Sequence, residues 1–176
     1  LGVRPPYLSP AGEEAAARRV HVELGHKLGD AATAVQLFRR WEKAGDRAQF
    51  CRAHYLDPNT LAFIANARAQ LADIAKQLGF VVQGGGPLEL LNAALAVAFP
   101  NHFLLRRANA YETRSGERVA IHPSSSLFGA KHRFLVASEL VQSRRVFAHN
   151  VAIVRPEWIA RANPELAREW QIETRS

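Results

Sequence analysis

The sequence predicts an α+β chain: a helical N-terminal part, then a small β-barrel, then a short C-terminal helix. Three observations carry this. Apolar residues recur at helical spacing through most of residues 1–99, the period shifts toward two after Pro100, and the formal net charge of +7 is concentrated in that second region. Residues 1–99 hold 11 Lys and Arg against 9 Asp and Glu, residues 100–158 hold 9 against 4, and residues 159–176 hold 3 against 3.

The helical part can be followed element by element. Ser9-Pro10 with Glu13-Glu14 places acids in a first turn and predicts a helix to about Leu28, stopping at Gly29. Asp30 is expected to cap the next helix, whose Ala34, Leu37, Phe38 and Trp41 fall on one face. Ala44-Gly45-Asp46 breaks it, and a shorter helix is expected around Phe50 to Tyr55. Asp57-Pro58 joins a cap to a proline at the first helical position. From there Leu61, Ile64, Ala67, Leu71, Ile74 and Leu78 form a sustained stripe that ends at Gly79. Gln83-Gly84-Gly85-Gly86-Pro87 is a flexible break, and Pro87 to Ala98 predicts one more, very apolar helix.

Beyond Pro100 the pattern is that of strands. Val119 and Ile121 alternate with Arg118 and Ala120, Phe134 to Ala137 is a short apolar run, and Phe147, His149, Val151 and Ile153 alternate with their neighbours. Ser115-Gly116, Pro123-Ser124 and Gly129-Ala130 are turn signals between them. Short strands at this spacing suggest a small barrel or sandwich. Pro156 can then start a short helix carrying Trp158 and Ile159. The expected division is a helical segment over 1–83, a linker and connecting helix over 84–99, a β domain over 100–160 and a tail over 161–176.

Composition excludes several classes. An apolar fraction of 48% supports a packed core. No run approaches the ~18 apolar residues of a membrane helix, and Leu1 to Pro10 lacks a signal-peptide layout, so a cytoplasmic location is expected. The single cysteine, Cys51, excludes an intrachain disulfide and is expected to be a small buried residue. With no methionine and Leu1 as its first residue, the chain is expected to be a piece of a longer polypeptide.

Motifs for chemistry are missing. There is no GxxxxGK[ST] phosphate loop and no DEAH or DEAD motif, so this chain holds no phosphate-loop ATPase machinery. Gly84-Gly85-Gly86 lacks dinucleotide-fold spacing, and the seven histidines are scattered, so no cofactor or metal is expected. Ser124, Ser125 and Ser126 follow His122, but no GxSxG elbow surrounds them; a turn with side chain-to-backbone hydrogen bonds is the expected structure.

Cations interleaved with aromatics are what the β region does offer. Single-stranded nucleic acid requires this mixture, because cations follow phosphates and flat side chains stack on bases. A five-stranded OB barrel is one fold that presents such a face. Phe134 and Phe147 are expected in the core. Arg144-Arg145, read as neighbours on a strand, should face opposite sides and expose at least one guanidinium.

Several phrases resemble one family. Ala98-Phe99-Pro100-Asn101-His102, then Tyr111-Glu112-Thr113, then Ile121-His122-Pro123-Ser124-Ser125 with Leu127-Phe128, resemble the OB-fold region of DEAH-box ATP-dependent RNA helicases, the bacterial members above all. Glu139-Leu140-Val141 with Ser143-Arg144-Arg145 and Phe147, and Val151 to Trp158, resemble its later strands. Gly29-Asp30, Leu37-Phe38, Trp41, Phe50-Cys51 and Arg68-Ala69-Gln70-Leu71 resemble the ratchet-like helical domain that precedes it. Coverage runs from about Asp30 to Trp158. Arg145 stands where the family often has lysine, His149 where arginine is common, and Leu1 to Gly25 matches nothing assignable.

The resemblance implies an accessory C-terminal part of a DEAH-box RNA helicase that grips and guides single-stranded RNA, or DNA. ATP and magnesium would bind helicase core domains elsewhere in the same polypeptide. Expected phosphate contacts are Arg107, Arg114, Lys131, Arg133, Arg144 and Arg145, with Tyr111 and His122 beside a base or sugar. Two other readings stand next to it: a stand-alone single-stranded nucleic-acid-binding module, and an OB domain that receives a protein partner. No membrane partner is expected.

Overall fold

The computed structural model describes residues 5–173. Residues 1–4 of the expected helical segment and 174–176 of the expected tail lie outside that range. Two compact units divide the chain. One takes in the described residues up to Leu24 together with Val35–Gly86, and the other Gly25–Ala34 together with the described residues from Pro87 onward.

The first unit is helical: α1 (Glu14–Glu23), the later turns of α2 (Asp30–Glu42), α3 (Arg47–Ala53) and α4 (Pro58–Gln77). Its core is Leu24, Leu37, Trp41, Cys51, Leu56 and Leu61. Burial pushes the Cys51 thiol up from its ordinary pKa, which keeps it protonated and unreactive. The Asp57 cap signal holds, and Asp46, read only as part of a break, caps α3 as well. The Asp46 carboxylate accepts from the Gln49 amide at 2.8 Å, and Asp57 accepts from the Asn59 and Thr60 amides at 3.1 and 3.3 Å.

Two expectations change. α1 stops at Glu23 rather than near Leu28. Leu28 instead lends its carbonyl to the Ile153 amide and Gly29 bridges Ala152, so the chain at residues 28 and 29 lies along β5 and cannot continue α1. The stripe on α4 is also only half covered. Leu61 is buried, but Phe63, Leu71, Ile74 and Leu78 are 51–70% exposed. Pro58–Gln77 is about 30 Å long at 1.5 Å per residue, and the core of this unit meets only its first turns.

The second unit is a closed barrel of β1 (Phe103–Arg107), β2 (Ala110–Glu112), β3 (Arg118–Ile121), β4 (Phe134–Gln142) and β5 (Val146–Ile153), in the order β1-β2-β3-β5-β4. β3 and β5 are parallel and the other pairs antiparallel. Leu104, Val119, Ile121, Leu135, Ala137, Val146, Ala148 and Val151 fill its interior. A second core lies outside the wall, where Phe103, Leu105, Phe134, Val136 and Ala152 meet Ala96 of α5 (Glu89–Ala98), Ile159 of α6 (Pro156–Ala162) and Leu166 of α7 (Pro164–Glu169). Phe134 to Ala137 is buried on both faces for this reason and reads as a continuous apolar run.

The expected tail contains α7. Asn163 accepts from the Leu166 amide at 3.1 Å and Pro164 follows it, the same cap-then-proline signature as Asp57-Pro58. Leu166, 1% exposed, anchors the helix. Among the described residues no helix is long and apolar enough to cross a membrane.

Candidate nucleic-acid interface

Strand periodicity selects which side chains leave the barrel. On β5, Val146 and Ala148 point inward, so Phe147 and His149 point outward. Val141 and Glu139 of β4 stand directly across from them, and Ala120 of β3 pairs with Phe147 from the other side. β3 ends at Ile121, and His122 follows with its amide donating to the Ala148 carbonyl at 3.0 Å.

These positions assemble an aromatic platform. The His122 and His149 rings stack with centroids 4.2 Å apart and 28° between planes. Phe147 meets His122 edge-on at 5.6 Å. The Arg145 guanidinium lies 4.8 Å from the Phe147 centroid, a cation–π contact at the platform's edge. All three rings are half-buried. Burial, and then the neighbouring His149, hold the His122 pKa below the ordinary histidine value. His122 is therefore neutral near pH 7, and a neutral ring suits stacking.

The cations fall into two groups. Arg144 and Arg145 occupy the bend between β4 and β5, and the Val119–Val146 pairing places Arg118 beside Arg145. At the opposite end, Arg106 and Arg107 close β1, and the Arg106 amide donates to the Arg133 carbonyl at 2.9 Å, bringing Lys131 and Arg133 alongside. Arg107, Lys131 and Arg144 are exposed and make no ion pair among the described residues. Arg133 is exposed too, its guanidinium 4.9 Å from the buried Phe134 ring.

Four sequence expectations need correction. Tyr111, expected beside a base, is 6% exposed; its hydroxyl donates to the Ala130 and His132 carbonyls at 3.2 and 2.9 Å. Burial raises its pKa, so it stays a neutral donor inside the barrel with no free ring face. Arg114 is exposed but engaged. Its Nε donates to Glu169 at 3.0 Å and its Nη2 to Glu165 at 3.4 Å, on one wall of an open cleft of about 490 Å³ shared with Pro100, Thr113 and Asn163. Arg144 and Arg145 lie in a bend rather than on a strand; both are exposed, which meets the expectation of at least one by a different geometry. Phe147, expected in the core, faces outward.

That last difference has a local cause. Phe147, His149, Val151 and Ile153 look like one face in the sequence. Asn150 adopts a left-handed φ of 51°, and the inward set changes phase there, from Val146 and Ala148 to Val151. His149 was missed for the same reason. Asn150 itself was the available signal, since asparagine is a residue type that tolerates this conformation. No three metal-ligating side chains come together among the described residues.

A closed five-stranded barrel in this strand order defines an OB-fold domain, here with an outward aromatic platform and exposed cations. Residues 91–166 match the family profile of the oligonucleotide/oligosaccharide-binding (OB)-fold. The chain is 27% identical over 160 residues to the ATP-dependent RNA helicase HrpA of Borreliella burgdorferi, covering 87% of this chain and 19% of that protein. It is 29% identical over 161 residues to the ATP-dependent RNA helicase DHX33 of Drosophila melanogaster, covering 90% and 23%, and 27% identical over 143 residues to human DHX33, covering 80% and 20%. The chain thus carries a helicase-associated OB-fold domain homologous to the C-terminal regions of DEAH-box RNA helicases. It spans about a fifth of the length of these relatives.

Proposed function

We propose that this chain serves as the accessory C-terminal part of an ATP-dependent DEAH-box RNA helicase, and that it grips and guides single-stranded RNA. The observation that carries this is the platform of His122, His149 and Phe147 with Arg145 at its rim. A base can stack on such rings, while Arg107, Lys131, Arg133 and Arg144 neutralise phosphates on either side. Tyr111 and Arg114 drop out of the contact set because their polar groups are already engaged. In this reading ATP and magnesium act on other parts of the parent protein, and the barrel only steers the strand.

The test is binding of single-stranded oligouridylate, read by fluorescence anisotropy. Affinity should fall steeply as salt rises from about 50 to 200 mM, because phosphate neutralisation releases counterions. Replacing Arg144 and Arg145 together with alanine should cost about 1–3 kcal/mol in binding and flatten the salt dependence. No detectable binding at low salt, or an unchanged affinity in the double variant, would remove this reading.

Attachment to the rest of such a polypeptide is part of the same proposal. Phe63, Leu71, Ile74 and Leu78 line one face of α4 without cover in this chain, and the relatives are four to five times longer. The chain alone should self-associate through this stripe at high concentration. Leu71→Glu with Leu78→Glu should abolish that while leaving helicity intact, as measured by sedimentation velocity and circular dichroism. A monomeric wild-type chain at high concentration would count against the stripe as a docking face.

A further inference from the structure

β5 outruns its parallel partner. β3 pairs with it only as far as Ala148, and residues 28–30 take over the ladder beyond. The Ile153 amide donates to the Leu28 carbonyl at 3.2 Å, Gly29 bridges Ala152, and the Val151 amide donates to one Asp30 carboxylate oxygen at 2.8 Å. The other oxygen of Asp30 accepts from the Ser126 amide at 2.7 Å, the Ser126 hydroxyl at 2.8 Å and the Ser125 hydroxyl at 3.0 Å. One carboxylate thereby holds four donors from two separate elements, close to the full accepting capacity of the group.

Both elements carry platform rings. Ser125 and Ser126 close the turn that starts at His122, with the Ser125 amide donating to the His122 carbonyl at 2.9 Å. Val151 lies two residues beyond His149, across the left-handed Asn150. No hydrogen bond joins the two stacked rings; His122 Nδ1 is paired with the Ser124 hydroxyl at 2.7 Å. Their alignment therefore depends on what ties their backbones together: the His122 amide on the Ala148 carbonyl at the start of the turn, and Asp30 at its far end. We propose that Asp30 is a positioning residue for the platform: it fastens the His122 turn to β5 in the alignment that keeps the His122 and His149 rings face to face. The role in RNA contact rests on the proposed function above, but the geometry does not.

Asparagine at this position keeps the shape and turns one acceptor oxygen into a donor. That NH2 would then oppose either the Val151 amide or the Ser126 amide, so one of the two elements loses its backbone hydrogen bond to residue 30, although the serine hydroxyls can turn to accept. The exchange leaves Glu139, opposite His149 on β4, and Arg145 at Phe147 in place but removes the negative charge of Asp30 beside the His122 turn; that loss alone would lower a histidine pKa, so an upward shift reports loss of ring packing.

The experiment follows the histidine ring signals of the full chain by NMR across pH, and oligouridylate affinity in parallel. In Asp30→Asn the His122 titration should move up toward about 6.5, the value of a solvated histidine, and RNA affinity should fall roughly five- to tenfold, the scale of one weakened stacking contact. Asn163→Ala, which removes the α7 cap elsewhere in the unit, should lower thermal stability yet move neither readout. If Asp30→Asn does not fold, Ser126→Ala removes one donor and should give the same shift in smaller measure. A His122 titration that stays at the wild-type position in the folded variants overturns the positioning role. A titration that moves while RNA affinity does not upholds Asp30 as the positioning residue and overturns the RNA reading of the platform.

Discussion

Gly29→Ala should destabilise the barrel unit by about 2–5 kcal/mol, combining left-handed backbone strain with overpacking. A Cβ at this position would sit 2.4 Å from the Val151 carbonyl oxygen and 2.7 Å from the Ala152 Cα, both rigid backbone atoms inside a closed barrel. Gly29 also has a φ of 120°, which a side chain disfavours regardless of space. The informative control is Gly116→Ala. Gly116 also has a positive φ, of 81°, but nothing lies within 4 Å of its added Cβ, so its cost should stay near the roughly 1–2 kcal/mol of left-handed strain alone. Urea unfolding of the two variants reads the difference directly. Equal losses would mean that the 28–30 segment yields easily and does not clamp β5.

Asn92→Leu should cost the same unit about 1–3 kcal/mol, because the Ile153 carbonyl loses its donor and the Leu28 carbonyl keeps only the Ile153 amide. Asn92 is fully buried in α5, and its side-chain NH2 donates to the Leu28 carbonyl at 2.8 Å and the Ile153 carbonyl at 3.0 Å. It thus ties the helix, the 28–30 segment and the end of β5 with one group. Its own Oδ1 has no partner among the described residues, so leucine removes one unsatisfied acceptor and creates one at Ile153, while Leu28 keeps the Ile153 amide; the loss of two buried N–H bonds makes the net sign destabilising. Asn92→Asp should be worse than leucine, because a carboxylate would face the same two carbonyls with no proton to offer. A urea midpoint ranking of wild type, then leucine, then aspartate checks the account. A leucine variant as stable as wild type would show that the two N–H bonds contribute little.

Much of the fold is legible along the chain because its signals are local. Asp57-Pro58 starts α4 as its residue types require, and Leu78-Gly79 ends it. The two-residue alternation of Val119 and Ile121 and the apolar run from Phe134 mark real strands. The Ile121-to-Ser125 phrase points to the OB-fold family that residues 91–166 match. Asn163-Pro164 could have been found by the same rule as Asp57-Pro58, so α7 was legible and overlooked.

The platform was less legible. Cations were visible by composition, and Arg144 and Arg145 are exposed, though in a bend. Which aromatics face outward was not visible. One residue with a left-handed φ, Asn150, reverses the facing of every side chain after it, and alternation carries no mark of that reversal. Tyr111 shows the opposite failure. An aromatic beside cations has the composition of a nucleic-acid contact, yet its hydroxyl finds two backbone carbonyls inside the barrel.

The clearest case is Gly29-Asp30. Glycine before aspartate, ahead of an amphipathic run, reads as a helix stop followed by a helix cap, and the helix does begin at Asp30. The carboxylate, however, is taken by Ser125, Ser126 and Val151, the last of them 121 positions along the chain. Helix, strand, turn and the site of positive charge follow from residues close together in sequence, so order along the chain is enough to find them. The partner of a carboxylate and the side of a sheet that an aromatic occupies follow from which backbones meet. Hydrogen bonds and steric contacts act over a few ångströms in space whatever the separation in sequence, and only the closed barrel brings these groups that near.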